Sequence, residues 1–180
     1  MLRVGIIGCG DIANLNVLGY LYSQDTELVA VCDSDTKKAR EKVERWGLRT
    51  LNIYEDYKRM VDCENLDIVE ILTPHNLHAP MVEYCAKAGI SGISLQKPLA
   101  HTIRDCDKII QVSNKYKAKL KLYENFRFYP VFLKAKELLN EGIIGELLNF
   151  RINTIATGGP GITIYTRGLS SLVWRIKVET

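Results

Sequence analysis

The sequence lacks the features that mark membrane, secreted and nucleic-acid-binding proteins. No apolar run approaches the roughly 18 residues that a transmembrane helix needs. Gly5 and Gly8 interrupt the apolar start that a signal peptide would require. The 24 Lys and Arg residues against 21 Asp and Glu residues leave a net charge of only +3, spread along the chain. We therefore expect no membrane and no nucleic acid as a partner, and a cytoplasmic location.

Cysteine is scarce and shows no pairing pattern. Its five residues are an odd number without a C-x-x-C pair, so disulfide bonds and zinc knuckles are not expected. Their apolar surroundings predict buried thiols in a reducing compartment. They are Cys9, Cys32, Cys63, Cys85 and Cys106. With 180 residues, 47% of them hydrophobic, the chain is long enough for one full domain and the start of another.

Short apolar runs alternate with amphipathic segments from residue 1 to about residue 123. This pattern is typical of an α/β fold with a doubly wound parallel sheet and helices on both faces. The predicted strands are Leu2–Ile7, Leu28–Cys32, Thr50–Ile53, Ile68–Leu72, Ile93–Leu95 and Leu120–Tyr123. Helices are predicted over Asp11–Ser23, Thr36–Gly47 and Asp56–Val61, from Pro80 to Gly89, and from Thr102 through Ser113.

The helices carry local signals of their faces and starts. In the first helix, residues at helical spacing predict the buried face, and these are Ile12, Leu15, Leu18 and Tyr22. Thr36 is the expected N-cap of the second helix. Thr102 with Asp105 three residues later is typical of a capping box at the start of the last one.

The pattern changes after Tyr123, which predicts a boundary between two domains. Residues 1–123 are the first domain, and residues 124–180 are a connector followed by the truncated start of an α+β domain. The second region contains a predicted helix, Val131–Glu141, and a predicted long strand, Glu146–Ile155. Because that strand would be an unpaired edge, we expect either a homo-oligomer or a chain that is part of a larger protein.

A glycine-rich loop follows the first predicted strand. Residues 8–13 read G-x-G-x-x-A between a strand and a helix, as in a dinucleotide-binding loop. There Gly8 permits a tight turn, Gly10 lets a diphosphate approach the backbone, and Ala13 lets the helix pack closely. Asp11 and Ile12 complete the predicted cofactor-binding loop at the helix N-terminus. The alternative is a strand–helix connection that binds no ligand.

Asp33 ends the second predicted strand, where a carboxylate can accept hydrogen bonds from the adenosine ribose. An acid there, with Asp35 nearby, would repel a 2′-phosphate, which favours NAD over NADP. Lys37, Lys38 and Arg40 keep NADP open, because a cation can accommodate that phosphate. Asp33 is otherwise a turn or cap residue.

Three further segments follow predicted strands, at the edge where such sheets bind ligands. They are TPHNLH at 73–78, QKP at 96–98 and ENFRFYP at 124–130. Together with GCGDIA, they make residues 1 to about 150 similar to the Gfo/Idh/MocA family of nicotinamide-dependent oxidoreductases. The resemblance implies a Rossmann-like nucleotide-binding domain, a sugar-like small-molecule substrate and NAD as the cofactor.

The resemblance implies that Lys97 is the catalytic residue and also contacts the substrate. A lysine at a strand end can polarise a carbonyl or relay a proton while hydride moves. Its alternative is an ordinary surface lysine. Gln96 replaces the family's usual glutamate beside the cofactor, which leaves the protonation state of Lys97 open. Pro98 raises the expectation of a cis peptide bond that aims the lysine.

The resemblance also implies a role in cofactor positioning for four residues after the fourth strand. They are Thr73, Pro74, His75 and His78. His75 and His78 are three residues apart but have no third ligand at a suitable spacing, so no metal site is predicted. We expect His75 and His78 to cap the following helix instead, and His101 to lie on the surface.

Arg127 matches the family's R-F-x-P arginine and is the second predicted substrate residue. Its guanidinium is suited to holding substrate or locking two domains, and packing is an equal alternative. The family's later D-x-x-x-H element has no counterpart before Thr180, so Lys97 would act alone.

The main hypothesis is hydride transfer between a nicotinamide and a sugar or polyol hydroxyl. The alternatives are a dinucleotide-binding module without turnover and a scaffold protein that binds no nucleotide.

Overall fold

Six parallel strands form one sheet in the part of the chain that the structure describes. The computed structural model describes residues 1–48 and 50–151. The strands are β1 (Leu2–Ile7), β2 (Thr26–Cys32), β3 (Asn52–Tyr54), β4 (Ile68–Ile71), β5 (Gly92–Gln96) and β6 (Lys119–Tyr123). Their order is β3-β2-β1-β4-β5-β6, and every pairing is parallel. The predicted doubly wound sheet is confirmed, and its direction of winding changes between β1 and β4.

Helices cover both faces of this sheet. They are α1 (Ala13–Tyr22), α2 (Thr36–Arg45), α3 (Tyr57–Cys63), α4 (His78–Lys87) and α5 (Ile103–Tyr116). A further helix, α6 (Pro130–Asn140), follows β6 in the chain and belongs to the second unit. Helices α1 and α2 pack on one face through residues that include Val17 and Val43. Helices α3, α4 and α5 pack on the other through Met60, Val82 and Ile109. Because every strand pairing is parallel, the carboxyl ends of the strands lie along one edge of the sheet, between the two helical layers.

The N-caps match the prediction at one helix and differ from it at another. Thr102 caps α5 as predicted: its Oγ1 accepts from the N–H of Asp105 at 3.1 Å and donates to Asp105 Oδ2 at 2.8 Å. The prediction of Thr36 as the cap of α2 is wrong, because Asp35 occupies that position. Oδ1 of Asp35 accepts from the backbone N–H groups of Lys37 and Lys38, at 3.1 Å each, and the negative charge favours the helix N-terminus.

The predicted buried face of α1 is wrong except at Ile12, which is half-buried against the core. The residues that α1 buries are Ala13, Asn16 and Val17. Three of the predicted core residues are instead 50%, 44% and 84% exposed, and these are Leu15, Leu18 and Tyr22. The physical reason is the close packing of α1 on the sheet after the glycine loop, which places the smaller side chains against the strands.

The chain divides into two compact units, Met1–Tyr123 and Glu124–Thr180. The second unit contains a 3₁₀ turn at Asn125–Phe128 and α6, which the sequence predicted as a helix. The predicted strand Glu146–Ile155 is not formed over residues 146–151, which make no ladder pairing, and its remainder lies outside the described residues. A strand requires a hydrogen-bonded neighbour, and the described chain supplies none there. No helix of residues 1–48 and 50–151 has both the length and the apolar character needed to cross a membrane.

The cysteines are all free thiols. Burial raises the pKa values of Cys9, Cys32 and Cys85 to about 12, so these thiols stay protonated at neutral pH. Cys106 is half-buried. The prediction of a buried thiol is wrong for Cys63, which is exposed as the last residue of α3.

One carboxylate is buried in the centre of the sheet. Glu70 in β4 is 0% exposed, and its Oε1 accepts a hydrogen bond from Asn16 Nδ2 of α1 at 2.8 Å. Its other carboxylate oxygen, Oε2, makes no hydrogen bond of good geometry among the described residues, although the Tyr20 hydroxyl of α1 faces the carboxylate. Burial raises the pKa of Glu70, and the hydrogen bonds from Asn16 and Tyr20, together with the charge of Lys121, oppose that effect. The ionised form is therefore costly in the folded chain.

We expect Glu70→Gln to stabilise the protein increasingly as the pH rises. The pKa of Glu70 is raised in the folded chain. Such a group contributes stability at low pH, and this contribution is lost as the pH rises through the pKa of the folded state. Glutamine keeps an oxygen for Asn16 and cannot ionise, so the free energy of unfolding of Glu70→Gln should gain on that of the unchanged chain as the pH rises, and the gain should level off above the folded pKa. Urea denaturation over a pH series measures it, with the exposed Glu27→Gln as control. Parallel pH profiles for Glu70→Gln and the unchanged chain would contradict this account.

Candidate functional site

The loop between β1 and α1 is tightly tied to the neighbouring strands at its first residue. The Gly8 N–H donates to the Cys32 carbonyl oxygen at 2.7 Å. Gly8 has a φ of +100°, and a Cβ placed there would lie 2.9 Å from the carbonyl carbon and oxygen of Leu72. Both the dihedral and the contact require glycine, so the turn depends on this residue.

The next part of the loop presents unpaired backbone donors. The N–H groups of Gly10, Asp11 and Ile12 have no hydrogen-bond partner among the described residues. No side chain caps the start of α1 either. A Cβ at Gly10 would meet no atom within 4 Å, so the space in front of this residue is open. Consecutive free amides at a helix N-terminus attract an anion, and the missing side chain lets it come close.

Asp33 stands beside this loop at the end of β2. Its Oδ2 accepts from the Cys9 N–H at 2.8 Å, and its Oδ1 accepts from the Asp35 N–H at 3.0 Å. Lys38 Nζ lies 4.0 Å from the same Oδ2. The carboxylate thus has the turn role that the sequence left open. Because each oxygen has a second lone pair, it can also accept from a ribose hydroxyl.

Lys42 of α2 is a charged residue at the loop that the sequence analysis missed. Its side chain is 9% exposed, and its Nζ lies 3.3 Å from Asp11 Oδ1. A signal was present, since Lys42 lies three residues after Ala39 and four before Trp46, two apolar residues whose spacing places them on one helical face with it. The aliphatic stem of a lysine at such a position packs along the core, and its ammonium group reaches outward to a partner.

His78 ties the end of β4 to the turn after β5. The side chain is 1% exposed, with Nε2 3.0 Å from the Thr73 carbonyl oxygen and Nδ1 3.0 Å from that of Leu99. Burial lowers the pKa of His78, and the two carbonyl groups oppose this effect. The prediction that His78 caps α4 is wrong, because its ring binds these carbonyls and makes no cap hydrogen bond.

The turn after β5 presents Lys97 at its surface. The Lys97 side chain is exposed, and the Lys97–Pro98 peptide bond is cis, as predicted. The Gln96 side chain accepts from the backbone N–H of Lys97 at 2.8 Å. This glutamine therefore holds the main chain of the turn, a contact that needs no negative charge.

The remaining predicted site residues lie in two places. Thr73 and Pro74 are half-buried after β4, and His75 stacks on the exposed His101 with ring centroids 5.4 Å apart. Arg127 is exposed on the 3₁₀ turn of the second unit. Within residues 1–48 and 50–151, no cluster of three or more His, Cys, Asp or Glu side chains is arranged to hold a metal ion.

This geometry can be compared with known proteins. The family described as "Oxidoreductase family, NAD-binding Rossmann fold" (GFO_IDH_MocA) matches residues 2–124. The chain belongs to this family. The predicted membership is confirmed, and with it the Rossmann fold and NAD as the cofactor of the family domain. The match includes the glycine loop, Asp33, Thr73 and Lys97, whereas Arg127 lies beyond it.

The proteins that are similar to this chain have names that denote different activities. D-apiose dehydrogenase of Paraburkholderia graminis is 32% identical over 140 residues, which are 78% of this chain and 36% of that protein. An alpha-N-acetylgalactosaminidase of Tannerella forsythia is 26% identical over 156 residues, 83% of this chain and 33% of that protein. The structure of an Agrobacterium radiobacter oxidoreductase in complex with NAD⁺, L-tartaric acid and magnesium aligns with a TM-score of 0.76 and 26% identity, covering 81% of this chain and 42% of that one. The chain thus spans less than half the length of each of these proteins.

Proposed function

We propose that the chain is the nucleotide-binding part of an NAD-dependent oxidoreductase acting on a sugar or polyol hydroxyl. The observation that carries the proposal is the row of unpaired N–H groups at Gly10, Asp11 and Ile12, facing open space at a helix N-terminus. Such a row is suited to the diphosphate of a dinucleotide. Asp33 at the end of β2 is suited to the adenosine ribose, which favours NAD over NADP.

Five other site residues lie at or after the ends of β4 and β5, where the nicotinamide would lie. We assign Thr73, Pro74, His75, His78 and Gln96 to the positioning of the cofactor. His78 acts through backbone carbonyls, and Gln96 acts through the backbone of Lys97. NAD, when bound, supplies a hydride acceptor. Lys97 donates a hydrogen bond to the substrate oxygen and relays its proton, and Arg127 binds the substrate.

The substrate class rests on the relatives. The name of the Paraburkholderia graminis protein supports a sugar substrate, and the chain shares 32% identity with it. The name of the Tannerella forsythia protein denotes a glycosidase rather than a dehydrogenase. A sugar panel assayed with NAD⁺ therefore tests the reaction as well as the substrate. Binding of NADH without turnover of any sugar would support the second candidate, a dinucleotide-binding module.

Location and assembly belong to the same proposal. The free, buried thiols of Cys9, Cys32 and Cys85 support a reducing, cytoplasmic setting. Self-association is supported by exposed apolar residues of α6 such as Val131 and Leu133. Light scattering across a concentration series measures the oligomeric state.

We expect the unchanged chain to bind NADH with micromolar affinity, a binding free energy on the order of −8 kcal/mol. Asp33→Ala should weaken this binding by about 30-fold. The substitution removes both the acceptor for the ribose and the Cys9 N–H contact that holds the loop. It also removes the charge that repels a 2′-phosphate, so the preference for NADH over NADPH should shrink. Calorimetric titration with both cofactors measures this, with the exposed Asp25→Ala as control. Preferred binding of NADPH, with Asp33→Ala having no effect, would contradict the cofactor assignment.

A further inference from the structure

Helix α2 carries a buried ammonium group into the glycine loop. The Lys42 side chain is 9% exposed, and its Nζ contacts Asp11 Oδ1 at 3.3 Å. Its neighbours on α2 include Ala39 and Val43, which are buried in the core. An ammonium in such surroundings is costly unless an opposite charge compensates it. Asp11 supplies that charge across the gap between α2 and the loop.

Asp11 is at the same time an unfavourable residue for an anion site. It lies in the row of three unpaired N–H groups, between Gly10 and Ile12, and its side chain is 61% exposed. A free carboxylate there would repel a diphosphate and would compete with it for the helix N-terminus. The pairing with Lys42 weakens both effects, since it partly compensates the carboxylate and holds it against α2.

The second carboxylate at the loop has a similar arrangement. Asp33 lies 4.0 Å from Lys38 Nζ, and Lys38 precedes Lys42 by four residues, one turn of α2. Two lysines on one side of α2 thus each lie near an acidic side chain at the glycine loop. Lys38 lies near Asp33, and Lys42 lies near Asp11. The Lys42–Asp11 pair is the closer of the two, at 3.3 Å against 4.0 Å, and its ammonium is the less exposed, at 9% against 46%.

We propose that Lys42 is a positioning residue for the cofactor diphosphate, acting through Asp11. It keeps the charge of the loop compensated and the three N–H groups accessible to an anion. The inference rests on the proposed function, since it concerns the same loop. A lysine that instead contacts the phosphate directly would not depend on Asp11, and this difference makes the proposal testable.

Calorimetric titration with ADP-ribose, which contains the diphosphate without the nicotinamide, tests the proposal in a double-mutant cycle. We expect Lys42→Met to weaken binding about tenfold, because the carboxylate of Asp11 is then uncompensated. In a chain that already carries Asp11→Asn, the same Lys42→Met change should alter affinity by less than about twofold. High salt should reduce the tenfold loss of ADP-ribose affinity caused by Lys42→Met, whereas a loss caused by a structural change would not depend on salt. Lys37→Met removes an equal charge from the exposed side of α2 and should leave affinity unchanged within about twofold.

The outcomes separate the inference from the function on which it rests. Additive effects of Lys42→Met and Asp11→Asn would overturn the role through Asp11. Failure of the unchanged chain to bind ADP-ribose would overturn the proposed function and this inference with it. Should Lys42→Met not fold, Asp11→Asn alone decides: we expect its affinity to rise about threefold, because a negative charge leaves the loop. A loss of affinity in folded Asp11→Asn would contradict the proposal.

Discussion

Gly10→Ala should weaken NADH binding by about 100-fold, or about 3 kcal/mol, without loss of stability. In the free protein a Cβ at Gly10 meets no atom within 4 Å, and Gly10 is not among the glycines with positive φ. A methyl group is therefore accommodated, and the loss of freedom in the unfolded chain adds about 0.4–1 kcal/mol of stability. The methyl group stands where the diphosphate must approach the N–H groups, so only binding suffers.

Fluorescence titration with NADH and urea denaturation measure the two effects separately. Gly19→Ala is a matched control, because Gly19 lies within α1 and a Cβ there also meets open space. It should raise stability by about 1 kcal/mol and leave NADH affinity unchanged. Gly8→Ala should instead lower the free energy of unfolding. Gly8 has a φ of +100°, and an added Cβ would collide with the Leu72 backbone. Tight NADH binding by Gly10→Ala would exclude this loop as the diphosphate site.

Lys97→Met should lower the rate of hydride transfer by about 10²–10⁴-fold, as expected for loss of a general acid–base group. The Lys97 side chain is exposed at the turn after β5. It contributes nothing to the core, and methionine retains most of its length. NADH affinity should change by less than about threefold, since the proposed diphosphate and ribose sites lie at the ends of β1 and β2.

The assay follows NADH absorbance with whichever sugar of the panel is turned over. Lys115→Met on α5 removes another exposed lysine and should leave the rate unchanged. A Lys97→Met variant as active as the unchanged chain would reject the catalytic role. A variant that loses rate and NADH affinity together would indicate a role in cofactor binding instead.

Local patterns in the sequence predicted the sheet well. The alternation of apolar runs with amphipathic segments identified all six strands of the described chain, because buried parallel strands are nearly continuous in apolar residues. The Gly8 turn followed from residue spacing, since a tight turn beside another backbone leaves no alternative to glycine. The four family motifs predicted a membership that the family match over residues 2–124 confirms.

The errors arose where tertiary contacts decide the outcome. Leu15 and Leu18 have the right spacing for a core face, but the close approach of α1 to the sheet favours Ala13 and Val17 instead. His78 looks like a helix cap in sequence. Its partners, the carbonyls of Thr73 and Leu99, are brought together only by the folded sheet.

Charge pairing across elements was also beyond the sequence. Lys42 and Asp11 are 31 residues apart, and no local pattern relates them. The predicted strand Glu146–Ile155 failed for a related reason, since strand formation depends on a neighbour that local propensity does not reveal.

The central claim is that the backbone N–H groups after Gly8 bind a dinucleotide diphosphate. Amide NMR spectra and hydrogen exchange, recorded while NADH is added to the isotope-labelled chain, test it directly. The signals of Gly10, Asp11 and Ile12 should shift strongly and their hydrogens should become protected. The signals of Gly47 and Gly89, which follow the C-termini of α2 and α4, should not shift. Saturation of the chain with NADH while the three loop signals stay in place would contradict the account.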